Sequence, residues 1–348
     1  MEYQRRAGQL FERKQLYDNG GADLIFGLDV SSCQQKSINW VQVRQSTVTD
    51  GSKSYGLTFA YIRASKGKAD VDNCEFKDPN FDSWAQSAGM VVGAYHVAAV
   101  VDPSGGTFSP DDEASFFVNV AGSYIRSGNL RPAIDVEDQS CGNPRSIGWQ
   151  ALADWLDEWL KKVHTLTGVW PVIYCSGDYK THLNDDKTHS GYYLWQNYDL
   201  WVAYVLNPPN PDVTPVSSPW ASSVLYQYSW SGVLNGLQGQ TSCANNPNSY
   251  ADLDVFQGTQ QQFQSVMVIP TSGGGGSPPV ISTPQFSGGT FTLSVASQSG
   301  SNYVLEYKNS LDDASWTSIQ TNAGNGGTIV LTNRDVNVPS RLYRVRVE

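Results

Sequence analysis

Residues Arg131–Asp138 read RPAIDVED, a short apolar run that ends in three acids. On a strand, Asp135 and Glu137 stand at i and i+2, so both project from one face. Runs of the same texture recur along the first three quarters of the chain. The strand candidates are Leu24–Val30, Thr58–Ala64, Met90–Ala98, Pro132–Glu137, Trp170–Tyr174, Leu200–Val205, Val224–Ser229 and Asp252–Phe256. Near-continuous apolar strands are buried on both faces, and eight of them point to a closed, largely parallel sheet. Helical spacing falls between several of them. Asp78-Pro79 and Ser109-Pro110 are helix starts, and Leu152, Trp155, Leu156, Trp159, Leu160 and Val163 recur at three and four residues ahead of Gly168. The later strands have no long helix between them. The pattern predicts an α/β chain: an irregular (β/α) TIM-like barrel with incomplete helices.

That barrel is expected over residues 24–270, after an N-terminal extension at 1–23. Residues 271–279, TSGGGGSPP, cannot hold helix or strand and read as a linker. Beyond it, residues 280–348 alternate apolar and polar positions in short segments broken by Gly, Asn, Asp and Ser, the pattern of a small all-β sandwich. The 348 residues carry a formal charge of −10. Residues 280–348 hold as many basic as acidic side chains, so the whole excess lies before the linker. Nucleic acid is excluded as a general partner, because no basic stripe exists to neutralise phosphates. No stretch has the ~18 uncharged apolar residues of a membrane-spanning helix, so membrane insertion is not expected.

The acids within strands are the chemical signal. Asp29 lies in FGLDVSS, Asp135 and Glu137 in RPAIDVED, and Asp252 and Asp254 in YADLDVFQG. An acid buried unpaired in an apolar strand costs several kcal/mol, so a set of them implies a shared acidic cleft. Two carboxylates held close cannot both ionise cheaply, and the one that keeps its proton becomes a general acid near neutral pH. Cleavage of a glycosidic bond needs that pair: one acid protonates the leaving oxygen while the second supports positive charge at the sugar carbon. A hard cation could also sit among such oxygens, but no EF-hand or similar spacing is present, and no metal or other cofactor is expected. His182, Asp185, Asp186 and His189 match no zinc spacing and read as a solvated loop. Tyr95, Tyr174, Trp201, Tyr226 and Tyr228 supply aromatic faces able to stack on sugars, and His96 reads as a core histidine.

Nine segments, in order, resemble the family 25 glycoside hydrolases, the Chalaropsis-type lysozymes. They are GLDVSSCQQKSINW, FAYIRASKG, DPNF, GMVVGAYHVA, RPAIDVED, TGVWPVIYC, DLWVAYV, LYQYSWSG and ADLDVFQG, between about residues 24 and 260. The resemblance implies an N-acetylmuramidase that hydrolyses the β-1,4 bond between N-acetylmuramic acid and N-acetylglucosamine in peptidoglycan, with retention and substrate assistance. It implies Glu137 as the general acid/base and Asp135 as the carboxylate that orients the 2-acetamido group. Asp29 and Asp252 fall on the family's first-strand and last-strand acids. Tyr95, Tyr174, Trp201, Gln227 and Asp254 match positions near the substrate cleft. Lys66 and Val97 stand where the family often has Glu and Phe, which bears on subsites rather than on the acid pair. The last 69 residues resemble bacterial Ig-like or fibronectin-like modules.

The expected partner is thus the peptidoglycan glycan strand, and the expected place of action the bacterial cell wall. The N-terminus has charges throughout and no apolar core, so no signal peptide is read there. Release by lysis, carriage on a virion or a non-classical export route would bring the protein to the wall. The β module would attach it to a phage or secretion assembly, or to the wall itself. The alternative is a catalytically silent wall-binding or structural component that kept the barrel. Five cysteines, an odd number with no Cys-x-x-Cys, read as buried small residues and at most a loop bridge.

Overall fold

The computed structural model describes residues 23–31, 38–50, 53–68, 70–71, 85–101, 106–138, 143–237, 250–270, 281–297 and 301–347, apart from 311–312, 314–315, 326, 335, 337 and 339–340. The chain divides into two compact units, with the second starting at Pro270.

Ten strands make up the sheet of the first unit: β1 (Leu24–Val30), β2 (Thr47–Asp50), β3 (Lys53–Lys66), β4 (Asp70–Val71), β5 (Val91–Val97), β6 (Ala133–Asp135), β7 (Val172–Ser176), β8 (Asp199–Ala203), β9 (Leu225–Gly232) and β10 (Ala251–Gln257). Hydrogen bonding runs β1-β10-β9-β8-β7-β6-β5-β3 and closes through β1–β3, so eight strands form a barrel; β2 and β4 are antiparallel additions to β3. All eight sequence-predicted strands are present. The closed sheet is largely parallel, as expected, with one strand reversed. β10 runs antiparallel to both β1 and β9, while the six other barrel pairings are parallel. The reversal puts the start of β10 at the same rim as the ends of β1 and β9.

Helices are few. Pro110–Ala121 starts on Pro with Asp111, Asp112 and Glu113 in its first turn, where acids suit the positive end of the helix. Trp149–Thr167 ends at Gly168, whose φ of 73° is the left-handed cap that glycine adopts at low cost. Its Leu152, Trp155, Leu156, Trp159, Leu160 and Val163 are buried in the layer outside the barrel. The helix start read at Asp78 lies outside the described residues.

Two apolar layers follow from strand alternation. Phe26, Leu28, Val92, Ile134, Ile173, Leu200 and Val202 point outward beneath the helices. Ile25, Phe59, Tyr61, Ala133, Val172, Trp201, Leu225 and Phe256 fill the lower barrel, which Phe263 and Met267 of the helix Gln260–Met267 close from below. Gly27 makes room for this filling, because a Cβ there would lie 2.4 Å from the Phe59 ring.

A polar clamp ties the outer layer to the barrel. Ser65 Oγ lies 2.9 Å from His96 Nδ1, and His96 Nε2 lies 3.0 Å from Glu113 Oε2. Glu113 also accepts the backbone N–H groups of Ala99 (3.2 Å) and Val100 (2.9 Å). All three side chains are fully buried, and Val100 sits at φ 58°, a strained value for a β-branched residue. The clamp therefore holds an unfavourable turn after β5. His96 is a core histidine, as its sequence context suggests.

The second unit holds two three-stranded antiparallel sheets. One orders β11 (Ile281–Ser287), β12 (Thr290–Ala296) and β15 (Thr328–Asn333); the other orders β14 (Thr317–Ala323), β13 (Asn302–Lys308) and β16 (Leu342–Val347). Leu293, Val295, Tyr303, Leu305, Ile329, Leu331 and Val347 form a core cluster of their own. Glu306, buried beneath Arg344 (2.6 Å) and Arg346 (3.0 Å), has its carboxyl held below the usual range by hydrogen bonds from these guanidinium groups that outweigh its desolvation.

Candidate active site

Strand alternation decides which side chains meet in the upper barrel. Asp29 faces Asp252 across β1–β10, and Gly27 faces Asp254. Asp135 at the end of β6 stands beside Tyr174 of β7, which stands beside Trp201 of β8. Gln227 of β9 pairs with Asp254 of β10. Glu137 lies two residues beyond Asp135, just past the strand end and partly exposed. The nine sequence-predicted positions thus occupy strands or strand ends round one barrel mouth.

The hydrogen bonds show how the floor of this mouth is wired. The Tyr174 hydroxyl donates to Gln227 Oε1 (2.9 Å), and Gln227 Nε2 donates to Asp29 Oδ2 (2.7 Å). Trp201 Nε1 donates to Asp254 Oδ1 (2.8 Å). Tyr61 stacks on Trp201 at 4.7 Å, and Tyr174 meets the same ring edge-on at 4.8 Å. Asp254 is wholly enclosed, and Gln227, Trp201, Asp29, Tyr95, Tyr174 and Asp135 are buried, while Asp252 and Glu137 keep partial access.

Burial and mutual repulsion shape the acid chemistry. Asp29 is pushed up to about 7, first by desolvation and then by the charge of Glu137, against hydrogen bonds from Gln227 and Asp254 that lower it. Asp135 is held well above the usual carboxylate range by burial, Glu137 and Asp29, with Arg63 and Lys66 pulling the other way. Asp252 is raised by burial, Asp29 and Glu137. Asp254 is raised by burial and by the charges of Asp29 and Asp252, and its carboxyl meets that of Asp29. Asp135 Oδ1 is buried with no hydrogen-bond partner in the protein. Burial and like charge thus favour the protonated form of these buried aspartates, and Asp135 Oδ1 is a buried oxygen that can still accept a donor.

The contact between Asp254 and Asp29 requires one of them to donate, and the wholly enclosed Asp254 is the one raised by that bond. An amide serves there without a proton: Asn Oδ1 keeps the Trp201 bond and Nδ2–H donates to Asp29. Asp254→Asn should therefore retain the fold and keep turnover within about threefold. Asp254→Leu, which leaves the Trp201 N–H without its acceptor and leaves Asp29 with only its bond from Gln227, should cost about 1–3 kcal/mol. Thermal melts and initial rates of the two variants check this, and equal losses in both would refute it.

The zinc-like loop separates into two surface contacts. His182 Nδ1 bonds Asp185 at 3.0 Å, while His189 pairs with Asp154 at 3.1 Å. No group of three or more metal-ligating side chains occurs among the described residues. Cys175 is buried and unpaired; the other four cysteines lie outside the described residues. Two polar features escaped the sequence reading. Glu113 had been legible only as a first-turn acid of a helix. Trp230 followed Gln227 in LYQYSWSG with no signal separating it from core aromatics; its Nε1 donates to Gln227 Oε1 at 2.7 Å.

The family model described as Glycosyl hydrolases family 25 matches residues 28–237. Among solved structures, the chain is similar to the bacterial lysozyme of Streptomyces coelicolor (23% identity, 72% of this chain and 98% of that one, TM-score 0.54). A family GH25 lysozyme from Aspergillus fumigatus is similar at 21% identity over 71% of this chain and 100% of that one, with a TM-score of 0.51. The spore cortex lytic enzyme SleM of Clostridium perfringens covers 92% of this chain and 97% of its own at 18% identity, TM-score 0.54. At these identities the similarity speaks for the fold. No curated protein matches the sequence.

Proposed function

The chain belongs to glycosyl hydrolase family 25 and is a glycoside hydrolase, and from that premise we propose that it is a lysozyme acting as an N-acetylmuramidase on bacterial peptidoglycan. The observation that carries the reading is the convergence of Asp29, Asp135, Glu137 and Asp252 on one barrel mouth, where their charges raise one another. On this reading the barrel is an irregular member of the (β/α) class, and the wall is its place of action.

Glu137, the accessible member, donates its proton to the glycosidic oxygen as the bond to the muramic acid C1 breaks. Asp135 accepts the 2-acetamido N–H at its unpartnered Oδ1. That holds the acetamido oxygen below C1, where it bonds to the carbon and retains the sugar's electron balance as an oxazolinium. The Glu137 carboxylate then takes a proton from water, the hydroxide bonds to C1 as the bond from C1 to the acetamido oxygen breaks, and the acetamido group is restored on C2 with configuration at C1 retained. Asp29, fixed by Gln227, faces the positive charge that develops and stabilises it in its ionised form.

Reducing-end release from purified peptidoglycan tests the reading, with borohydride reduction and mass spectrometry of the fragments. Muramitol at the new ends is expected. Glucosaminitol alone would replace the assignment with another bond, and binding without release would favour the silent wall-binding alternative.

A further inference from the structure

Trp230 is 58% exposed, in contrast with the buried aromatics of the cleft floor. Its position comes from a break in strand register. Ala251 faces Gly232 and Leu253 faces Ser229, so two steps along β10 are matched by three along β9. This extra residue falls at Trp230–Ser231, and a second shift follows where the adjacent Leu253 and Asp254 face Ser229 and Gln227. Such a bulge bends its strand and re-aims a side chain, and bulges gather at barrel rims beside active sites.

The indole is also tied to the site. Its N–H donates to the Gln227 oxygen that accepts the Tyr174 hydroxyl, and the amide nitrogen of that same Gln227 donates to Asp29. The ring's one polar atom is thus satisfied by the cleft floor, which leaves a fixed apolar surface open at the mouth. A tryptophan held in this way is neither core nor a loosely exposed side chain. Its chemistry suits the apolar C–H face of a pyranose, and the acidic surroundings suit an uncharged ring with hydroxyl and amide donors at its edge.

β9 stands three strands round the barrel from β6, which leads to Glu137. At ~4.8 Å between neighbouring strands that is about 14 Å along the rim. We propose that Trp230 is a stacking platform for an N-acetylhexosamine ring outside the pair flanking the bond to be cut, so that it selects longer glycan strands and sets their register. The proposal rests on the glycan-cleaving reading above, and its ligand class is the same polymer.

Soluble uncrosslinked peptidoglycan glycan strands, long and disaccharide-pair short, separate the possibilities with wild type, Trp230→Ala and Trp230→Phe. Trp230→Ala should raise KM on long strands about tenfold with kcat within twofold, and should leave the short substrate unchanged. Trp230→Phe, which keeps the ring and loses the N–H, should recover most of the KM. An unchanged KM for Trp230→Ala on long strands would overturn the platform. So would a Phe variant as impaired as Ala with a shifted pH profile, since the bond to Gln227 would then be the role. Calorimetric binding of long strands by the same three proteins keeps the two readings apart. A wild type that binds but does not cleave would sink the muramidase reading alone, with a tenfold weaker Ala variant still supporting the platform.

Discussion

Glu137→Gln is expected to lower peptidoglycan turnover by about a thousandfold or more, within the 10²–10⁴ range attributed to a positioned general acid together with its second role as base. The glutamine is isosteric and cannot give up a proton to the leaving oxygen. It also removes one charge from a cluster in which Glu137 helps to raise Asp29, Asp135 and Asp252. The melting temperature should therefore stay level or rise while activity vanishes. That combination separates loss of chemistry from loss of structure. A Glu137→Gln protein that releases reducing ends at the wild-type rate would remove Glu137 from the catalytic role. One that loses activity together with its cooperative melt would say nothing for chemistry, and Glu137→Asp, which keeps an acid on a shorter stem, would then carry the test by retaining a small measurable rate.

The second large effect is on stability against pH. Asp29 sits at about 7 in the folded chain against an ordinary 3.8, and Asp135, Asp252 and Asp254 are also raised. Between these limits the folded state holds protons that the unfolded chain has released. The unfolded state then binds fewer protons, so stability falls as pH rises. For Asp29 alone the difference 7 − 3.8 is on the order of 4 kcal/mol, present in full below about pH 4 and gone above about pH 7. Melts followed by tryptophan fluorescence report on the first unit, since ten of the eleven tryptophans precede Pro270. The midpoint should drop by several degrees from pH 5 to pH 8. Asp135→Asn, which leaves nothing to ionise at a buried member of the proposed catalytic acids, should flatten that slope and raise stability at pH 8 while lowering turnover at least a hundredfold. An unchanged slope in the variant, or a wild-type midpoint that climbs with pH, would contradict the account. The acids proposed to act in catalysis weaken the fold at the pH where they are charged.

The eight strands were legible because a barrel strand is apolar on both faces, and each run stood out against Gly-, Asp- and Ser-rich surroundings. The acids were legible for the same reason: a carboxylate is conspicuous in LIFGLDV or AIDVE. The direction of β10 was not, because an apolar run carries no mark of which way it is laid against its neighbours. The clamp built on Glu113 was hidden behind a good local explanation, since an acid in the first turn of a helix has its own electrostatic reason to be there. Trp230 was hidden because strand alternation assumes an unbroken register, and the bulge between β9 and β10 is a property of two strands together. Pairings such as Trp201 with Asp254 lay among positions already singled out, but their contact depends on barrel closure rather than on spacing along the chain.

The reversed last strand has a consequence for how this barrel can be combined with other parts. Because β10 runs down as β1 runs up, Gln257 finishes opposite Leu24 at the closed end. The helix Gln260–Met267 then folds under that end, and Ile269 is fastened to Gly128 and Asn129 ahead of β6. Entry and exit of the chain thus share the pole opposite the acids. Neither end of the barrel segment therefore has to cross the mouth where the acids stand.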